Sequence, residues 1–403
     1  MAEPQQRAEE RPSYKTFNPP ERRLLGPGPS PVEQRVRTAM AAPVLGHLDP
    51  LFLQCMDEIK AMLRYAFQTD NPMTLPISGT GSAGMEAALV NLIEPEDEVV
   101  VCISGYFGER IHEMAERAGA KVIAVRGEWG KPIEMARIEE AVNSCKPKVL
   151  AIVIAETSTG VWQDITGLSD LAHSRGGHLV VDAVTALGTQ PLHVDESGID
   201  ACFSCSQKGI GAPPGLAPLT FSERAMKTIT ARRRKVQSWY LDVTTIQQYW
   251  GSDRSYHHTA PISMNYALHE ALRLLCEEGL EARWRRHQVN SEAFVAGIEA
   301  MGLEMLVAKD SRLWGVNVVR VPEGVDEAGV RRHLLDNANI EISGGLGPFK
   351  GKVWRVGLMG SGSTSENAKL VIVELRKALA AQGFDYPSGL EVAESVYTTN
   401  AGR

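Results

Sequence analysis

Between Leu75 and Cys205 the chain alternates short, uniformly apolar runs with amphipathic windows, and this alternation constrains the fold more than any other feature. Runs suited to strands are Glu98 to Ile103, Lys121 to Val125, Val149 to Ile154, His178 to Val181 and Ala201 to Ser204. Helical spacing appears between them, near Ser82 to Leu92, Phe107 to Ala118, Ile133 to Ser144 and Leu168 to Ser174. Strands that are apolar throughout must be covered on both faces, and strands joined through helices run parallel. The expectation is an α/β fold with a mostly parallel central sheet flanked by helices. Such sheets bind ligands beyond the carboxyl ends of their strands, so the residues just after each run carry the functional argument.

Outside this block the pattern changes. Residues 1 to 21 are polar, contain Pro19-Pro20, and read as an N-terminal arm. Leu24-Leu25-Gly26-Pro27-Gly28-Pro29-Ser30-Pro31 alternates glycine with proline and marks a fixed turn at the entry to the fold. A large domain is expected over residues 22 to 280, with Leu51 to Phe67 as an early helix. Ala267 to Arg286 reads as one amphipathic helix bridging to a second unit. That unit, residues 281 to 385, is expected to be a smaller α+β domain. It would have strands near Leu313 to Val321, a helix at Val325 to Asp336, a Gly-rich loop and a final helix at Glu366 to Ala381. Residues 386 to 403 read as a loosely held tail.

Composition narrows the partners. The net charge of -7, from 42 basic and 49 acidic residues, gives no electrostatic footprint for nucleic acid or anionic membrane. The basic cluster Ala231 to Lys235 reads as a solvated helix end or subunit contact. No apolar run approaches the roughly 18 residues of a membrane span. The start lacks an apolar targeting core, Glu3, Glu9 and Glu10 oppose a transit peptide, and Ala401-Gly402-Arg403 is not the usual peroxisomal tripeptide. A cytoplasmic address is expected. The six cysteines sit mostly in apolar stretches, as reduced, buried thiols do. Cys202 and Cys205 form a C-x-x-C, but with both on a strand the odd separation would turn them to opposite faces, which favours packing over metal or redox chemistry.

Polar residues gather after the strand-like runs. Asp182 follows Leu179-Val180-Val181, Thr157 follows Val149 to Ile154, and Phe107 follows Glu98 to Ile103 across Ser104-Gly105-Tyr106. Lys208 follows Ala201 to Ser204 and precedes the turn from Gly209 to Gly215; a lysine so placed can be desolvated and form a Schiff base. Ser78-Gly79-Thr80-Gly81-Ser82-Ala83-Gly84 opens a helix, and Thr80, Ser82 and the helix-start amides suit an anion. Gly79, Gly81 and Gly84 also fit a dinucleotide fingerprint. That rival wants an acid after the second strand, where this chain places Ser104-Gly105-Tyr106-Phe107. A phosphate with a flat ring beside it fits better. A phosphate cradle, an aromatic face, an acid and a lysine at one sheet edge describe a holder for pyridoxal 5'-phosphate, the lysine taking the aldehyde and the acid the ring nitrogen. His257-His258 lacks a further ligand at metal spacing and reads as turn or interface packing; no metal site is expected.

These residues carry a resemblance to class V, fold-type I aminotransferases of the alanine-glyoxylate (serine-pyruvate) family, over residues 22 to 385. The matching motifs include Leu25-Gly26-Pro27-Gly28-Pro29, Ser78-Gly79-Thr80-Gly81, Glu86-Ala87-Ala88, Glu156-Thr157-Ser158-Thr159-Gly160 and Val181-Asp182-Ala183-Val184. Further along they include Ser206-Gln207-Lys208, Ala212-Pro213-Pro214-Gly215, Tyr256-His257-His258-Thr259 and Gly344-Gly345-Leu346-Gly347. The resemblance implies that Lys208 forms the Schiff base and Asp182 pairs with the pyridine nitrogen. Thr80, Gly81, Ser82 and Gln207 would hold the phosphate, although Ser82 stands where relatives carry histidine. Phe107 would stack on the ring in place of a frequent tryptophan, Val184 would pack on the opposite face, and Thr157 would lie near the ring hydroxyl. Tyr256 and Thr259 resemble residues that reach the neighbouring subunit's phosphate, so a homodimer is implied. Arg355 would bind the substrate carboxylate and Gly28 would lie beside the substrate. The implied reaction moves an amino group from alanine or serine to glyoxylate or pyruvate. The alternatives are ureidoglycine-glyoxylate aminotransferase, and a cysteine desulfurase or similar lyase, against which stands the lack of any cysteine after Cys276.

Overall fold

The structure is a computed structural model and describes residues 11 and 13–400. The first ten residues of the expected arm, with Glu3, Glu9 and Glu10, and the terminal Ala401-Gly402-Arg403 lie outside the described residues.

Seven strands form the central sheet in the order Met73–Ser78, Leu216–Phe221, Ala201–Phe203, His178–Asp182, Val149–Val153, Glu98–Ile103, Lys121–Arg126. The last five pair in parallel, as continuous apolar strands joined through helices should. Leu216–Phe221 is antiparallel to both of its neighbours, which lets the chain return along the sheet directly after the lysine turn. The helices Gly81–Leu92, Tyr106–Arg117, Met135–Asn143 and Leu168–Ser174 fall where the spacing predicts them. The register sets Val153 beside Asp182 and Asp182 beside Phe203, so the strand ends align and the loops after them meet on one edge.

The expected single helix over Ala267 to Arg286 is two, Ile262–Glu278 and Leu280–Ala300. Gly279 breaks them with φ of 79°, a left-handed conformation that costs glycine little. Apolar spacing continues through the break because Leu275 and Leu280 on either side are both buried, so periodicity alone reads straight across it.

A second core lies beyond the sheet, around Phe294, Ile298, Val330, Leu334, Trp354, Val371 and Leu375. Its three-stranded antiparallel sheet has the order Val316–Arg320, Val353–Gly357, Ser343–Gly344, with helices Glu327–Ala338 and Ser365–Ala380 alongside. Two expectations are corrected here. Arg23–Leu24, read with the large domain, pairs in parallel with Ile340–Glu341, and Leu25 is fully buried in this smaller core. The stretch read as a loose tail contains the helix Leu390–Asn400, packed on Leu280–Ala300. Ala393 is fully buried and the Tyr397 hydroxyl donates to Asn290 Oδ1 at 2.9 Å. Gly297 and Gly389 permit this: a Cβ built on Gly389 would stand 1.9 Å from the Gly297 carbonyl oxygen. Small residues that let backbones touch give no apolar stripe, so the tail carries little hydrophobic signal.

No helix among the described residues is long and apolar enough to cross a membrane.

Candidate active site

A cavity of about 250 Å³ opens at the carboxyl edge of the sheet, lined by Gly28, Thr80, Gly81, Ser82, Phe107, Asp182, Val184, Gln207 and Lys208 among others. Nine of the residues singled out from the sequence therefore meet in one space. Eight of them come from four strand ends: Thr80 to Ser82 where the first strand meets its helix, Phe107 in the first turn after Glu98–Ile103, Asp182 and Val184 at the end of His178–Asp182, and Gln207 and Lys208 in the turn after Ala201–Phe203, while Gly28 comes from the entry turn.

Asp182 is buried, and burial pushes its carboxyl up to about 7 from an ordinary value of 3.8. Its Oδ1 accepts from the Val184 amide at 2.8 Å, while Oδ2 is buried without a hydrogen-bond partner. Gln207 Oε1 is orphaned likewise. Buried polar atoms are rarely left unpaired, so Asp182 Oδ2 marks a place for a ligand's donor, and Gln207 a side chain that awaits a polar ligand group. Lys208 is also buried, and burial lowers its pKa, favouring the neutral amine. Its Nζ donates to the Pro27 carbonyl, and Ser30 Oγ donates to the Lys208 carbonyl at 2.8 Å. Gly28 has φ of 120°, and a Cβ there would fall 2.6 Å from Lys208 Cε. Glycine is thus required twice over, by its dihedral and by the lysine's space.

The helix Gly81–Leu92 starts with Thr80 at its N-cap, whose side chain makes no cap bond and is left for a ligand. A Cβ on Gly81 would approach Cys205 Cβ to 3.0 Å, so this turn sits tight on the loop of the lysine. The expectation for Cys202 and Cys205 changes accordingly. The strand ends at Phe203, and Cys205 lies beyond it as a buried wall of the cavity, its thiol pushed up to about 12 by burial. Such a thiol packs and does not react.

The remaining predicted residues do not line this cavity. Thr157 is buried one step behind, its hydroxyl 2.5 Å from that of Thr185. Arg355, on Val353–Gly357, donates from Nε to the Gly344 carbonyl at 2.8 Å and from Nη1 to the Thr157 carbonyl at 3.3 Å. It borders a separate cavity of about 850 Å³ that also touches Gly344, Gly345 and Leu346. Burial lowers its pKa to about 10, which leaves it charged at neutral pH. Tyr256 and Thr259 sit away from the cavity of their own chain, with Tyr256 61% exposed and its hydroxyl 3.4 Å from that of Thr259. The adjacent His257 stacks on Trp239 at 4.4 Å between ring centres, and His258 Nε2 lies 2.6 Å from Ser78 Oγ.

Sequence reasoning missed Arg110. It lines the cavity, donates to Ser82 Oγ at 3.0 Å and stands 5.1 Å from the centre of the Phe107 ring. A signal existed, because Arg110 follows Phe107 by three residues and shares its helix face.

A sheet whose loops bring a buried lysine, a buried acid and a helix start around one cavity defines an α/β enzyme that handles an amine. Comparison with known proteins narrows the class. The aminotransferase class-V family model matches residues 36–350. The alanine–glyoxylate aminotransferase of Drosophila melanogaster is 43% identical, with the match covering 89% of this chain and 93% of that protein. The crystal structure of an alanine–glyoxylate aminotransferase from Nostoc sp. superposes with a TM-score of 0.90 at 47% identity, covering 92% of this chain and 98% of that one. That of ureidoglycine–glyoxylate aminotransferase from Bacillus subtilis does so with a TM-score of 0.93 at 39% identity, covering 95% and 100%. The chain belongs to the class-V aminotransferase family and has the fold-type I architecture of its members.

Proposed function

We propose that this aminotransferase binds pyridoxal 5'-phosphate at Lys208 and transfers an amino group from alanine or serine to glyoxylate or pyruvate. One observation carries the cofactor assignment: Lys208 and the orphaned Oδ2 of Asp182 line the same cavity, an amine for the aldehyde and an acceptor for a protonated ring nitrogen. The residues present fit the group. Thr80, Gly81, Ser82 and Gln207 would hold its phosphate, and Phe107 and Val184 would cover the two ring faces. Thr157 would lie near the ring hydroxyl. Bound there, pyridoxal phosphate supplies a sink for the electron pair left when the substrate's α-proton departs.

The chain's own groups do the rest. Asp182 keeps a proton on the ring nitrogen. Lys208 Nζ, whose neutral form burial favours, would accept the substrate's α-proton and give it up again on the far side of the amino nitrogen, at the cofactor carbon two atoms along. Arg355, fixed by two carbonyls, offers its remaining N–H groups to the substrate carboxylate in a fork that lysine cannot reproduce. Gly28 leaves room for lysine and substrate together. Tyr256 and Thr259 would complete the phosphate site of a second copy, which is why we read the enzyme as a homodimer; the exposure of Tyr256 supports this. Six free cysteines suit the expected cytoplasmic address.

Purified protein should show a visible absorbance that Lys208→Ala abolishes, and alanine with glyoxylate should be turned over. A second reading, ureidoglycine as amino donor, is supported by the similarity to the Bacillus subtilis enzyme along nearly the whole chain. A matrix of amino donors against keto acceptors separates the two, since only one donor class should give the high kcat/KM.

A further inference from the structure

The helix that carries Phe107 starts without a cap of its own. Tyr106–Arg117 follows Gly105, which has no side chain to cap it. Helices leave their first amides unpaired, and a start buried beside a ligand site needs partners for them. Here they come from another loop. The Tyr106 amide donates to Ser158 Oγ at 2.9 Å, the Phe107 amide to Glu156 Oε2 at 3.2 Å and the Gly108 amide to the same oxygen at 3.3 Å. Ser158 in turn donates to Glu156 Oε1 from its hydroxyl at 2.5 Å and its amide at 3.0 Å. A hydroxyl that accepts from Tyr106 must give its own proton away, so the carboxylate is the acceptor at the end of the chain. Glu156 is 1% exposed and sits against Gly105, where a Cβ would come within 2.4 Å of its Cδ.

Between Glu156 and Ser158 lies Thr157, whose carbonyl receives Arg355. One buried carboxylate thus ties the wall bearing the ring-stacking Phe107 to the loop that holds Arg355. Resting on the cofactor assignment above, we infer that Glu156 is a positioning residue: with Ser158 it seats Phe107 at the cofactor face and sets the carbonyl that orients Arg355. A carboxylate suits this place because the helix start is a positive pole and Arg355 is a charge nearby. Glutamine has nearly the same shape but must turn an N–H toward donors, so it cannot satisfy the same set.

The test titrates full-length wild type, Glu156→Gln and Ser158→Ala, freed of cofactor, with pyridoxal phosphate and follows tryptophan quenching. The circular dichroism induced in the bound cofactor's visible band is recorded in parallel. Wild type should bind saturably; if it does not, the cofactor assignment fails and this inference falls with it. If wild type binds, Glu156→Gln should raise Kd about tenfold and weaken the induced band, and the milder Ser158→Ala about threefold. KM for glyoxylate should rise more than kcat falls, through Arg355. Wild-type Kd, induced band and KM in both variants, with only the melting temperature changed, would overturn the inference and leave Glu156 a plain helix cap.

Discussion

Asp182→Asn should make the cofactor-free protein more stable while nearly abolishing its chemistry. The carboxyl rises from 3.8 to about 7 because burial penalises its charge and Oδ2 has nothing to pair with. The folded state therefore holds a proton through a range where the unfolded chain has released it. Its contribution is fully present below pH 3.8 and is lost as pH rises through about 7. Over a gap of about three pH units, at 1.36 kcal/mol per unit, the ionised acid costs roughly 4 kcal/mol above pH 7. Asparagine keeps the acceptor for the Val184 amide but buries an N–H₂ without a partner, returning about 1–3 kcal/mol. The net gain expected at pH 8 is thus about 1–3 kcal/mol, shrinking toward pH 5 and reversing below it. Urea unfolding of both proteins, freed of cofactor, at pH 5, 6, 7 and 8 reads this directly. Added pyridoxal phosphate should stabilise wild type more than the variant, because only the acid matches a protonated ring nitrogen. Parallel stability-pH profiles, or a variant less stable than wild type at pH 8, would refute the reasoning that Asp182 waits as an unpaired buried acid.

Other perturbations have equally definite outcomes. Gly28→Ala places a methyl against Lys208 in a left-handed conformation and should remove most of the visible cofactor band while the fold survives in far-ultraviolet circular dichroism. Arg355→Lys should raise KM for the keto acid by about 10- to 100-fold in steady-state assays, the worth of a charged fork, with a smaller change in kcat. At the opposite end of the sheet Asp200 is buried; burial opposes its charge, but bonds from His178 and His173 prevail and hold the carboxyl well below the usual carboxylate range. Its stabilising effect is therefore present above pH 4 and lost in stronger acid, and Asp200→Ala should cost about 3–5 kcal/mol in urea unfolding at pH 7.

The strands and the site were legible for the same reason. Parallel strands buried on both faces announce themselves as apolar runs, and their aligned ends force Thr80, Phe107, Asp182 and Lys208 into one neighbourhood before any contact is known. What escaped depends on contacts between distant segments. Nothing local tells that Arg23–Leu24 will add a strand beside Ile340–Glu341, that Glu156 will accept from the amide of Phe107, 49 residues upstream at a helix start, or that Gly389 will cross Gly297 closely enough to hold the final helix. The break at Gly279 was missed because both flanks bury apolar side chains and the period continues through it.

The segment from Leu24 to Ser30 runs from the smaller core to the lysine in a few residues. Leu25 is packed in that core, Pro27 receives the lysine ammonium or amine, and Ser30 holds the lysine's carbonyl. For anyone trimming or re-joining this polypeptide, the practical consequence is sharp. A version begun at residue 31 would retain every strand of the central sheet and every ligand-facing side chain except Gly28 and Pro29. It would nevertheless lose the short cord that moors the reactive amine to the smaller core, so fusion partners and affinity handles belong upstream of Arg22.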